Sequence, residues 1–314
     1  MLLARVADSL YWVSRYLERA EHHARVLDVA LDFGLGQPSD GGHRVLDRLH
    51  GVLGGQPGAE EDYEGALFDA DDRNSVVACV VAARENARQV REEISSDMWE
   101  QVNALFLRVR QMQGESSRGA RTHFVSKAVI DGIHLFHGIT DSTMGRGEGW
   151  QYLQLGRFLE RATITAALID SFLTDPSDGA HGRAALDQSE LSALLRACSA
   201  LEAYCRHYTA DIRAERVAEF LLLNHDFPRS IRFAARCVEG SLLSIGQHSG
   251  RKPGGRAERL AGRLHASLEY GQVDEILNDN PHAYLVGIER QCAQIHAAVS
   301  QTYLTYAIDA ALSA

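Results

Sequence analysis

Three charged side chains recur at one spacing in two places. Residues 15–20 read Arg-Tyr-Leu-Glu-Arg-Ala and residues 157–162 read Arg-Phe-Leu-Glu-Arg-Ala. Arg15, Glu18 and Arg19 thus reappear as Arg157, Glu160 and Arg161. On a helix, the first arginine of each set lies one turn from the glutamate and the second arginine. A carboxylate among arginines can do one of two jobs. It can be a fixed counter-ion that allows a charged seam inside a bundle. Alternatively, it can orient guanidiniums toward a carboxylate or phosphate in a cleft, because the planar fork grips two oxygens at once. Under the first reading Glu18 pairs with Arg15 on its own helix or with Arg161 across a pseudo-axis, and Glu160 reciprocally meets Arg19.

Other groups are weaker candidates. Glu18 and His22 are four residues apart, with Glu21 and His23 alongside, which is a spacing that can hold a metal. The second copy, however, has Thr163 and Ile164 where a ferritin-like repeat needs ligands, and arginine beside each glutamate opposes a cation. No metal or cofactor is therefore expected. In an enzymatic reading, Glu18 or Glu160 acts as general base with His22 or His134 assisting. His123, His134 and His137 share one helical stretch and read first as packed or solvated. Arg84, Glu85 and Asn86 form a polar face that either meets the motif helices or faces solvent. Arg146 and Glu148 lie in a glycine-rich connector before Trp150, a candidate mobile binding loop without the lysine or spacing of a P-loop. Ser75 and Ser230 read as helix caps rather than nucleophiles.

Long helices must position these groups. Apolar residues recur at three- and four-residue steps over 2–33, from Leu3 to Leu31. Further helices are predicted at 43–53, 75–94, 96–113, 119–138, 150–173, 187–207, 211–223, 229–247, 256–270, 272–278 and 281–311, with a loop or brief helix at 62–72 and a connector at 138–149. No stretch alternates as a strand would. The pattern predicts an all-α, internally duplicated, pseudo-two-fold bundle of about ten to twelve helices. It forms one domain over 1–314, with halves near 1–145 and 146–314.

Composition sets limits. Lys+Arg is 32 against Asp+Glu 42, a net charge of −10, which offers no general attraction to nucleic acid or an anionic membrane. Nearly all the cations are arginine; the lysines are Lys127 and Lys252. Five cysteines without a Cys-x-x-Cys fit reduced thiols in a cytoplasmic protein, with Cys198 and Cys205 on one helix face. Arg5 and Asp8 interrupt the apolar start, so no signal peptide is expected.

Several separated segments carry a resemblance. Leu2-Leu3-Ala4-Arg5-Val6-Ala7-Asp8-Ser9-Leu10-Tyr11-Trp12, Arg15–Glu21, Ala83–Arg88, the approach from Thr143-Met144 to Trp150, Gly156–Ala162 and Asp226–Ile231 together resemble the bacterial alpha-E family, helical proteins named for a Glu-Arg motif. The resemblance covers essentially the whole chain. It implies a genomic or covalent association with a circularly permuted ATP-grasp protein, and often with a transglutaminase-like protein. ATP-grasp enzymes activate carboxylates for ligation to amines. The resemblance thus implies an accessory or substrate-presenting role in a peptide- or amide-forming system, with Arg15, Glu18, Arg19, Arg157, Glu160 and Arg161 as the matched positions. A purely structural scaffold is the remaining alternative.

Overall fold

The structure is a computed structural model that describes residues 2–34, 40–53, 63–113, 118–174, 186–209, 211–250 and 254–305. Fourteen α-helices and no strand-built sheet occur among the described residues. Two long helices form the axis: α1 (Ala4–Gly34) and α7 (Glu148–Leu173). They pack along each other, and each gathers its own neighbours. Around α1 lie α2 (Asp40–Val52), α3 (Tyr63–Phe68), α4 (Val76–Gln89) and α6 (Arg118–Thr143), with α5 (Ser96–Gln113) against α4 and α6. Around α7 lie α11 (Ile231–His248) and α14 (Pro281–Val299), with α12 (Arg256–Glu269) against both. Among the shorter helices, α10 (Ala214–Leu223) meets α8 (Gln188–Ala197), α9 (Leu201–Tyr208) and α13 (Val273–Asn278).

The two axial helices bury most of their residues, which their sequences explain. Leu10, Leu17, Ala20, Ala24 and Leu27 of α1, with Leu155, Ala162, Ala166 and Ile169 of α7, are fully excluded from solvent. Small residues let the backbones approach. A Cβ added at Gly156 would overlap the Tyr11 carbonyl oxygen and the Ser14 hydroxyl. Glycine is therefore required where α7 crosses α1.

The caps follow sequence chemistry. Ser75 accepts from Ala78 N at 3.2 Å and donates to Asp69 O at 2.5 Å; Ser230 accepts from Phe233 N at 3.0 Å and donates to Asn224 O at 2.5 Å. Each serine thus holds the loop six residues behind it while starting a helix. Arg48 donates to Ser171 O and Phe172 O at 2.6 and 2.7 Å, satisfying carbonyls at the end of α7, whose last turn has no basic residue of its own.

Three predicted boundaries are corrected. The connector expected at 138–149 is short, because α6 continues through Gly138 to Thr143. One exposed glycine costs a helix only about 1 kcal/mol, and the Thr140, Ser142 and Thr143 hydroxyls bond back to carbonyls four residues earlier. The helix predicted at 187–207 is two helices. Ser199 adopts φ 51°, and the bonds Ser199 N→Arg196 O and Ala200 N→Leu195 O form a Schellman stop built without glycine. Cys198 is the C-cap residue that follows α8 and Cys205 lies in α9, so the two do not share one helix face. The last α-helix ends at Val299 and passes into a π-helical turn, Ser300–Leu304; the remainder of the predicted 281–311 helix beyond 305 lies outside the described residues.

Gly156→Ala is expected to destabilise the fold by about 3 kcal/mol, because the obstructing atom is backbone and cannot swing aside. The check is the urea-unfolding midpoint at unchanged m-value.

Candidate functional site

Where α1 and α7 cross, the two copies of the charged motif exchange partners. Arg161 of α7 donates both Nε and Nη2 to Glu18 of α1, at 2.6 and 2.7 Å. Arg15 and Arg19 of α1 donate Nε to Glu160 of α7, at 2.6 and 2.7 Å. The expected Arg161–Glu18 and Arg19–Glu160 pairs form; Arg15 turns from Glu18 on its own helix and joins Glu160 instead. Glu18 is 0 % and Glu160 2 % exposed, so these charges are paired away from water. Burial raises the proton affinity of Glu160, but Arg15 and Arg19 outweigh it and hold the carboxyl below the usual range.

The arginines are further tied to their surroundings. Arg15 donates to the Tyr11 hydroxyl at 3.0 Å and lies over the Tyr11 and Trp12 rings; Tyr11 in turn meets His296 Nδ1 of α14 at 2.8 Å. Arg19 reaches Asn74 Oδ1 and Arg161 reaches Pro228 O, both at 3.0 Å. Each motif thereby grips the loop that carries the capping serine, Ser75 in one case and Ser230 in the other.

One turn further along α1, a second charged group has no counterpart on α7. Glu21 is fully buried, and its Oε1 receives Arg229, Arg25 at 2.8 Å and His134 Nε2 at 2.9 Å. Arg229 comes from the residue before the Ser230 cap and also lies 3.6 Å from Glu18. Arg229, Arg161 and Arg25, together with the His134 bond, hold the Glu21 carboxyl well below its ordinary range against the penalty of burial. Thr163 and Ile164 stand at the matching turn of α7.

Five polar atoms in this second group are buried without a hydrogen bond: Glu21 Oε2, His22 Nε2, Arg25 Nε, His137 Nε2 and Arg157 Nε. Arg157 approaches Glu18 only to 3.8 Å. Burial, then Arg161, push the Arg157 guanidinium down to about 10. His137 is held well below the usual histidine range by burial and by Arg157, Arg161 and Arg229; His22 is likewise lowered by burial, His23, Arg229 and Arg25. Both rings are neutral near pH 7.

Donor atoms of Glu18, Glu21 and His137 lie within 4.8 Å of one another, a set that matches metal ligands by type. Arginines already occupy both oxygens of Glu18 and one of Glu21. Around these atoms the charge is positive, which is the wrong sign for a cation.

The remaining predicted residues lie elsewhere. Arg84 and Glu85 pair with each other at 2.6 Å, and Arg84 also bonds Asn103 at 2.8 Å and lies over Phe106; Asn86 bonds Ala82 O. This polar face meets α5, not the motif helices. Arg146 pairs with Asp141 at 3.0 Å and stacks on Trp150; Glu148 accepts from Leu2 N at 2.8 Å. Glu148 is nine residues before Arg157, about 13 Å along the helix, and it latches the chain start rather than lining the cluster. His22 is in the cluster, beside Glu21. Sequence reasoning did not anticipate Arg229 and Arg25 there. Arg229 had a signal, because it occupies the position before Ser230 that Asn74 occupies before Ser75.

An all-α bundle whose two central helices exchange buried Glu-Arg pairs is a distinctive class. The chain belongs to the Alpha-E family, whose model, described as a predicted alpha-helical domain with a conserved ER motif, matches residues 2–304. It is also similar to uncharacterized proteins of Mycobacterium bovis and of two Mycobacterium tuberculosis strains, at 24 % identity over 321 aligned positions and 94 % of this chain. The match covers 35 % of each relative, so the chain spans about a third of the length of the curated relatives it matches. No solved structure matches it. Among the described residues, no helix is long and apolar enough to cross a membrane.

Two outcomes follow. Glu160→Gln leaves Arg15 and Arg19 without a counter-charge and is expected to cost on the order of 3 kcal/mol, read by denaturant unfolding. Stability is also expected to fall in two steps as pH drops. His22 and His137 have folded-state values below 6.5, so the unfolded chain binds more protons below that pH and the first loss begins there. Glu21 and Glu160 have folded-state values below 4.5, so their contribution is present above 4.5 and lost beneath it. Replacing His22 and His137 by glutamine is expected to shrink the upper step and leave the lower one; urea titrations from pH 8 to about 3 measure both.

Proposed function

We propose that this chain is an accessory, substrate-presenting component of an ATP-grasp carboxylate–amine ligase system. It receives an acidic or peptidic ligand, or a partner's acidic segment, beside the paired Glu-Arg motifs. One observation carries the binding half of this reading. The buried cluster holds six arginines (15, 19, 25, 157, 161 and 229) against three glutamates (18, 21 and 160). A lattice that served packing alone gains little from surplus cations held largely out of water, where desolvation is costly. An anionic ligand neutralises that surplus. The ligase half rests on the family resemblance.

The same geometry weighs against independent catalysis by Glu18 or Glu160. A general base needs a proton affinity near the working pH and reach to its substrate. Both carboxylates are instead buried and gripped by guanidiniums.

The test uses the full chain and a circularly permuted ATP-grasp protein of the kind the family resemblance implies. The expected result is a complex by light scattering, faster ATP turnover by the ligase when the chain is present, and no turnover by the chain alone. Absence of any complex, or amide-forming turnover without the ligase, would sink this reading.

A further inference from the structure

Arg157 differs from every other motif arginine. Arg15, Arg19 and Arg161 each make at least two hydrogen bonds; Arg157 has an orphaned Nε and a loose 3.8 Å approach to Glu18. Its side chain keeps 20 % of its exposure, against 3 % for Arg161, so this guanidinium is the one motif cation on α7 that meets solvent. His137 of α6 and Glu21 of α1 bring their own unbonded Nε2 and Oε2 to the same buried neighbourhood. Its counterpart Arg15 is saturated by Glu160 and Tyr11, so the difference between the two arginines lies in their surroundings and not in their spacing.

We propose that Arg157 and His137 form a subsite for a single carboxylate group of a ligand, and that binding there takes up one proton. Arg157 supplies the charge-assisted donors. The carboxylate lies between Arg157 and His137 Nε2. Glu21 Oε2 adjoins the same point, so a second negative charge needs a compensating proton. His137 is the group able to carry it: its ring becomes a donor and its Nε2–H meets the incoming oxygen. The groups facing His137 are Glu18 and Glu21 of α1, Arg157 and Arg161 of α7, and Arg229 before α11. Once a carboxylate neutralises Arg157, the balance around the ring shifts toward the protonated form. Binding is therefore tighter at lower pH. This inference deepens the reading above and rests on it for the ligand's biological origin, whereas the binding itself is independent of any ligase.

The experiment titrates the full chain with glutarate, with its uncharged diamide glutaramide, and separately with inorganic phosphate. The readout is the imidazole ¹⁵N and ¹H resonances of His137, assigned with His137→Gln. Glutarate is expected to move His137 toward the protonated form and to bind more tightly at pH 6 than at pH 8, while glutaramide leaves the ring unchanged. Arg157→Gln is expected to weaken glutarate about tenfold or more, the scale of a lost bond to a charged group, without lowering the melting temperature, because the side chain it removes is underpaired. Arg157→Lys, which keeps the charge, retains part of the affinity and serves if the glutamine variant does not fold. An unmoved His137 at saturating glutarate, an equal response to glutaramide, a response to phosphate alone, or wild-type affinity in both Arg157 variants would overturn the assignment. Loss of ligase association with intact glutarate binding refutes the accessory role and not the subsite.

Discussion

Two glutamates crossing between two helices fix the geometry on which the rest of the structure depends. Glu18 and Glu160 are buried where α1 meets α7, and neither can be ionised there without a cation from the other helix. A slip of one residue along either helix turns its face by about 100° and strands both carboxylates. Hydrophobic packing alone does not impose this, because leucine and alanine seams tolerate neighbouring registers far better than fork-shaped ion pairs do. Gly156 belongs to the same constraint. It lets α7 rest on the Tyr11 carbonyl of α1, close enough for short charge-assisted bonds on both sides of the crossing. A buried pair of this kind is weak evidence for added stability and better evidence for a specified register.

From that crossing the order spreads outward through the arginines. Arg19 and Arg161 each use a second nitrogen on the loop that starts an adjoining helix, α4 in one case and α11 in the other. The serine caps then hold those loops closed over six residues. Symmetry stops one turn later. Glu21, His22 and His23 of α1 face Arg229, Arg25, His134 and Asn74, whereas α7 offers Thr163, Ile164 and Thr165. Thr163 simply bonds back to its own helix at Leu159 O. The matched part of the motif sets the frame, and the unmatched part supplies the unsatisfied polar atoms.

Much of this was legible in the chain itself, for identifiable reasons. The helical period of α1 and α7, the serines before α4 and α11, and the cross-helix pairs Arg161–Glu18 and Arg19–Glu160 follow from spacing, capping chemistry and the cost of unpaired buried charge. The departures have physical causes too. Ser199 stops a helix in a left-handed conformation usually given to glycine, so no breaker residue announces it. Gly138 looks like a stop but is an exposed residue inside α6, where a single glycine costs only about 1 kcal/mol. Arg229 and His137 enter the cluster from elements far away in sequence, and spacing along one helix carries no information about such arrivals. Arg15 meets Glu160 while it also donates to Tyr11, one turn before it on the same helix, and Tyr11 in turn meets His296.

Arg15 and Arg157 contrast in a way that favours the proposed binding site over a packing lattice. Both occupy the first position of the same motif. Arg15 has a carboxylate at 2.6 Å, a tyrosine hydroxyl and two aromatic faces. Arg157 has a phenylalanine face, a distant carboxylate and cationic neighbours. Evolution of a scaffold for stability would remove such a cation or give it an acceptor, since neutral side chains of similar volume pack there at no electrostatic cost. A residue kept in an unfavourable electrostatic setting, partly open to solvent and beside a neutral buried histidine, fits the proposed site, whose missing charge arrives with a ligand. Both oxygens of Glu18 are taken by Arg161 and those of Glu160 by Arg15 and Arg19, so neither carboxylate serves Arg157 as a close counter-ion.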